Sequence, residues 1–133
     1  MSLKCRCISD AVALNIGGDV WEPQQCANAY EAAQAIGTGD NGKLIYAFFS
    51  FDFTSIACTL SVVVDLVKQY ANHPNQFTYQ GGPMISSFEG DCLGISGWGQ
   101  LKSQTNGYLM PFISGLESTF NQWGELDSWY WLV

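Results

Sequence analysis

Four polar residues stand where three apolar strands give out. Asn15 is near the end of Ala11–Ile16, Asp52 near the end of Leu44–Phe53, and Glu89 and Asp91 lie just beyond Pro83–Phe88. Amphipathic helical stretches separate the three runs, a pattern that implies a parallel sheet. In such sheets ligands and chemistry gather at the carboxyl ends of the strands. Asp52 interrupts an almost wholly apolar stretch, where a buried carboxylate without a partner costs several kcal/mol. It either lines a cleft or caps its own loop. Asp91 follows Gly90 at the next strand's exit and could face the same cleft; otherwise it is a solvated acid beside Cys92. Glu89 reads as structural. Asn15 offers donors and an acceptor suited to ligand hydroxyls, or to capping a strand end.

Other chemistries find less support. Ser86 and Ser87 have no histidine nearby and no Gly-x-Ser-x-Gly elbow. The single histidine, His73, precedes Pro74 and reads as a helix-end cap, so a histidine-based metal site is not expected. Five cysteines show no zinc-like spacing, and no glycine-rich turn carries the Gly-Lys-Ser/Thr of a phosphate loop, so neither metal nor cofactor is expected. With 5 Lys+Arg against 12 Asp+Glu and a net charge of −7, the chain cannot present the basic surface nucleic acid requires. No apolar run reaches the roughly 18 residues of a membrane span, so no membrane partner is expected. An acidic, aromatic-rich chain with only 13% charged residues suits a neutral polar ligand such as a sugar. Cys58 and Cys92 both follow strand ends. Neighbouring parallel strands would bring their loops to one face, so a Cys58–Cys92 disulfide is expected in an oxidising compartment.

The positioning elements follow from periodicity. Pro23 opens a helix in which Cys26, Ala29, Tyr30, Ala33 and Ile36 recur at helical spacing, with Gly37 as the stop. A second helix starts from Thr59 or Ser61 as N-cap, buries Val63, Leu66, Val67 and Tyr70, and ends before Pro74. Gly94–Gln104 is ambiguous, a short irregular helix at most, and Trp21 and Trp98 read as loop residues. Tyr108–Ile113 forms a fourth strand and Leu126–Val133 a fifth. On that last strand Trp129 and Trp131 share a face, as sugar-stacking platforms or as core. The whole chain, 1–133, reads as one α/β domain: a partial (β/α) TIM-type barrel of about five parallel strands with outer helices. A closed barrel needs eight strands and about 250 residues. Open sheet edges invite self-association.

Several segments, in order and with matching spacing, resemble glycoside hydrolase family 71, the fungal α-1,3-glucanases or mutanases. They are Asp10-Ala-Val-Ala-Leu-Asn-Ile-Gly17, Ala27-Asn-Ala-Tyr30, Phe49-Ser-Phe-Asp-Phe-Thr-Ser55, Tyr70-Ala-Asn-His-Pro-Asn-Gln76, Ser86-Ser-Phe-Glu-Gly-Asp91 and Leu126-Asp-Ser-Trp-Tyr-Trp131. The resemblance implies secreted or cell-wall barrel enzymes that hydrolyse α-1,3-linked glucan, with this chain at the second to sixth strands. Such hydrolysis needs two carboxyl groups flanking the bond, one acid and one ionised. Asp52 and Asp91 are the pair this chain could supply, with Asn15, Trp129 and Trp131 as substrate-binding residues. The family's seventh-strand Asp-Tyr-Gly-Glu motif does not occur here. Beside a hydrolase, therefore, stands the alternative of a non-catalytic carbohydrate-binding or interaction protein derived from the barrel.

Overall fold

Alternating strands and helices bury their apolar residues by laying three helices along one face of a sheet. The computed structural model describes residues 11–39 and 42–130. Strand β1 (Ala11–Ile16), helix α1 (Glu22–Ile36), strand β2 (Tyr46–Asp52) and helix α2 (Leu60–Tyr70) come first. The short strand β3 (Thr78–Tyr79), β4 (Gly82–Phe88), α3 (Gly94–Thr105) and β5 (Tyr108–Phe112) follow. β1, β2, β4 and β5 lie side by side and all run parallel, while β3 pairs antiparallel with the start of β4. The protein is thus an α/β fold on a largely parallel five-stranded sheet.

Two elements differ from the sequence reading. Gly94–Thr105 is a regular twelve-residue helix, and Trp98 lies within it at 1% exposure rather than in a loop. Gly97 and Gly99 weaken the local helical signal, since glycine costs up to about 1 kcal/mol in a helix interior. Burial of Gly97, Trp98 and Leu101 against the sheet offsets that cost. Residues Leu126–Tyr130 do not form the expected fifth strand; the fifth member of the sheet is β3. This segment nevertheless runs beside β5, donating from Asp127 and Ser128 N–H to Leu109 O and from Tyr130 N–H to Pro111 O. Residues 131–133, and with them Trp131, lie outside the described residues.

Register divides the sheet into two unlike faces, because paired residues of parallel strands point the same way. Ile16, Phe51, Ser87 and Pro111 form one row, and Phe49, Ile85 and Leu109 belong to another on the same face. All are buried. Against them pack Tyr30 of α1, Val63, Val64 and Val67 of α2, and Trp98 and Leu101 of α3. On the opposite face the rows are Asn15, Ser50, Ser86, Met110 and then Asp52, Phe88, Phe112. Among the described residues no helix covers this second face, and apart from Gly82, Met84 and Ser86 its residues are half-buried or exposed.

Candidate functional site

The carboxyl ends of the four parallel strands form a laced rim. Gly17 and Gly18 close the turn after β1 because a Cβ at Gly18 would sit 2.6 Å from the Ser55 carbonyl oxygen. Gly18 N–H donates to Ser55 Oγ at 3.0 Å, joining the first loop to the second. Glu22 Oε2 accepts from Gly17 and Asp19 N–H, so this acid is spent on its own turn. Between β2 and β4, Phe53 N–H donates to Phe88 O at 3.1 Å. A disulfide between Cys58 and Cys92 ties the same two loops together. At Gly90, φ 125°, a Cβ would sit 2.8 Å from Trp98 and 2.9 Å from Phe53, and the Gly90 carbonyl accepts from Trp98 Nε1 at 2.8 Å. Finally Glu89, at φ 59°, spans from β4 to β5: its carboxylate accepts from Ser114 N–H at 3.1 Å and from the Ser114 hydroxyl.

Within this rim, Asn15 and Asp52 share the uncovered face. Asn15 is level with Ser50, and Asp52 lies two residues further along the adjacent strand. That offset puts their α-carbons about 8 Å apart. Asp52 is half-buried, and its Oδ1 accepts from Thr54 N–H at 3.0 Å and Thr54 Oγ1 at 2.5 Å. Those bonds fix the carboxylate's direction at the mouth of the β2 loop. Asp91 begins a short 3₁₀ turn at the same end of the sheet, exposed and adjacent to the disulfide. Asn15 also borders an open groove of about 340 Å³ shared with Trp21, Glu22 and Cys26. Cys26 is a free, buried thiol. Burial, and after it the negative charge of Glu22, raises its pKa, so it stays protonated and is not poised as a nucleophile.

Of the two readings open for Trp129, sugar platform or core, the structure favours the second. Trp129 packs on the hydrophobic core beside Phe120, their ring centroids 6.4 Å apart. Trp21 precedes α1 and is exposed. Among the described residues of the final segment, Tyr130 meets the uncovered face, its ring 5.9 Å from that of Phe112. Phe112 in turn stacks on Phe88 at 5.5 Å, with planes 19° apart. Neither Phe88 nor Ser50 was singled out from sequence, although counting by twos from Asp52 along β2 reaches Ser50. Glu89's bond to Ser114 has no local signal at all, since the partners are 25 residues apart. Among the described residues, no group of three or more His, Cys, Asp or Glu side chains is placed to hold a metal ion. Nor is any helix among them long and apolar enough to cross a membrane.

The fold is that of an α/β protein whose parallel strands end in carboxylates, amides and hydroxyls. Residues 4–132 match the model of glycosyl hydrolase family 71, and the chain belongs to that family. It is 35% identical over 95 residues to a glucan endo-1,3-alpha-glucosidase of Schizosaccharomyces pombe, covering 67% of this chain and 21% of that protein. With a mutanase of Penicillium rubens it shares 36% identity over 97 residues, covering 72% of this chain and 20% of the relative. The chain thus spans about a fifth of the length of these relatives. No solved structure matches it.

Proposed function

We propose that this chain is the glucan-binding part of an α-1,3-glucan hydrolase built on a (β/α) barrel, contributing about five strands of it. In this reading Asp52 is the carboxylate that faces the glucan, Asp91 the second acid at the same rim, and Asn15 a partner for sugar hydroxyls. The observation that carries it is the row of Asn15 and Ser50, with Asp52 one step beyond, on the uncovered face at the carboxyl ends of β1 and β2. Neutral hydroxyl-rich ligands need such donors and acceptors, and a chain this acidic would repel anionic ones. Membership of family 71 and the names of the two relatives supply the linkage. An exposed disulfide at the rim fits a secreted or cell-wall location, where thiols oxidise.

Co-sedimentation with insoluble α-1,3-glucan, paired with a reducing-sugar assay, tests the reading. Retention on the glucan is expected, and Asp52→Asn should weaken it severalfold with an unchanged unfolding midpoint. If the chain also cleaves, Asp52→Asn and Asp91→Asn should each lower the rate by orders of magnitude. An inverting pair would stand about 6.5–9.5 Å apart. Retention without reducing ends would mark a binding module; neither retention nor cleavage would overturn the proposal.

A further inference from the structure

Six of the seven residues of β4 are buried; the one that is not is its last and largest, Phe88, at 36% exposure. Phe88 is not isolated, because it adjoins Phe112, and a contiguous apolar patch rather than a single exposed residue is what marks a binding surface. Phe88 is in register with Asp52 on one side and with Phe112 on the other. Near-parallel planes at 5.5 Å are offset-stacked, face towards face. Beyond Phe112 comes Tyr130 at 5.9 Å, so the rings run Tyr130, Phe112, Phe88 across the sheet. The end bounded by Tyr130 is pinned, because its hydroxyl donates to Ser87 O at 2.8 Å. Ser87 in turn donates to Glu89 O at 2.6 Å, bracing the exit of β4. Among the described rings, the open end of the stack belongs to Phe88, towards Asp52.

We infer that the Phe88–Phe112–Tyr130 stack is a sugar platform: a pyranose ring of the glucan lays its C–H face on Phe88 while its hydroxyls reach Asp52 and Ser50. The inference rests on the glucan reading above and names where a sugar sits. A pyranose has apolar axial C–H faces and a polar equatorial rim, so it matches a site with a ring on one side and a carboxylate and hydroxyl on the next strand. An aliphatic chain would offer no donor to Asp52 beyond those Thr54 already supplies, and an anionic ligand would meet its charge.

The test is titration of the chain with α-1,3-linked glucotetraose, and separately with α-1,4- and β-1,3-linked glucotetraose, following aromatic NMR shifts and the Kd. Phe88→Leu keeps an apolar side chain but removes the ring face, Phe88→Tyr keeps the face, and Phe77→Leu alters a ring packed near Tyr46 at the other end of the sheet. The α-1,3 sugar should shift the Phe88 and Phe112 ring signals. Phe88→Leu should weaken binding roughly five- to tenfold, the scale of an aromatic stacking contact. Phe88→Tyr should bind like the parent, as should Phe77→Leu. Unaltered affinity for the α-1,3 sugar in Phe88→Leu would overturn the platform and leave the glucan reading standing. Ring shifts at Phe88 with another linkage but not with α-1,3 would uphold the platform and overturn the choice of glucan. If no glucan moves these signals, and Phe88→Leu lowers only the unfolding midpoint, the stack is core packing and the inference is wrong.

Discussion

The two ends of the sheet use polar groups in opposite ways. At the amino end, Tyr30 donates to Gln76 Oε1 at 2.7 Å and also reaches Ala47 O, while Asn75 Nδ2 donates to Ile45 O at 2.9 Å. Backbone bonds from Ala47 N–H to Asn75 O and from Phe77 N–H to Ala47 O complete a plug between β2 and the segment after α2. Tyr30, Asn75 and Gln76 are all buried, and these polar atoms have partners within the protein. At the carboxyl end, Asp52, Asp91 and Asn15 are half-buried or exposed, and the bonds that lace the loops run through backbone, serine, the Glu22 and Glu89 carboxylates and a disulfide. In that plug uncharged, buried groups close the structure, whereas Asp52 and Asp91 at the rim remain partly solvated acids. An Asn or Gln is cheap to bury when paired, whereas a carboxylate is not. That difference leaves the partly solvated side chains at the carboxyl end of the sheet.

The sharpest way to break the comparison is to remove the rim's covalent tie. Cys58 and Cys92 close a loop of 34 residues, which the chain-entropy account values at about 4 kcal/mol. Replacing both with serine should lower the unfolding free energy by about that amount in urea titrations, and dithiothreitol should lower the parent but not the variant. A loss under about 1 kcal/mol would mean that the rim's hydrogen bonds alone hold its loops.

A smaller effect is expected at the opposite end. Asn75→Ala removes a buried side chain and leaves the half-buried Ile45 carbonyl without its side-chain donor, which should cost about 1–2 kcal/mol. Glucan retention, measured on the folded variant, should not change. Loss of retention at full stability would show that the two ends are coupled and the division drawn above is false.

The smallest expected effect is a pH dependence. Burial, then the nearby Cys26 and Tyr70, raise the Tyr30 pKa well above its ordinary value near 10. The folded state therefore holds the neutral phenol, and its contribution is fully present below pH 10. As pH rises past 10 the unfolded chain ionises first, so stability falls. Tyr30→Phe should be less stable than the parent at pH 7, for want of the Gln76 bond, yet should lose less between pH 9 and 11. Parallel pH curves for parent and variant would mean that Tyr30 does not drive the alkaline loss.

How much of this was legible in the sequence differs by element. Strands β1, β2, β4 and β5 announce themselves as apolar runs, and α1 and α2 by Pro23, Gly37 and the valine spacing, because local periodicity alone specifies which face is buried. β3 escaped notice, since two residues that pair only across the Gln80–Gly81 turn carry no pattern of their own. The final segment was misread as a strand because its alternation of tryptophan and tyrosine looks like a pleat. In the structure residues 126–130 lie beside β5 without strand geometry. Helix α3 needed Trp98 and Leu101 to meet the sheet before its glycines could be tolerated.

Residue types and order determined by themselves that the chain is an acidic α/β protein with polar groups at its strand ends, and which family it resembles. These are properties of composition and local spacing. The tertiary structure decided which face of the sheet is left uncovered, that Glu89 is bound to Ser114, and that Phe88, Phe112 and Tyr130 rather than Trp129 line up beside Asp52. Strand register sets those neighbours, and register joins residues tens of positions apart through bonds that no local pattern encodes.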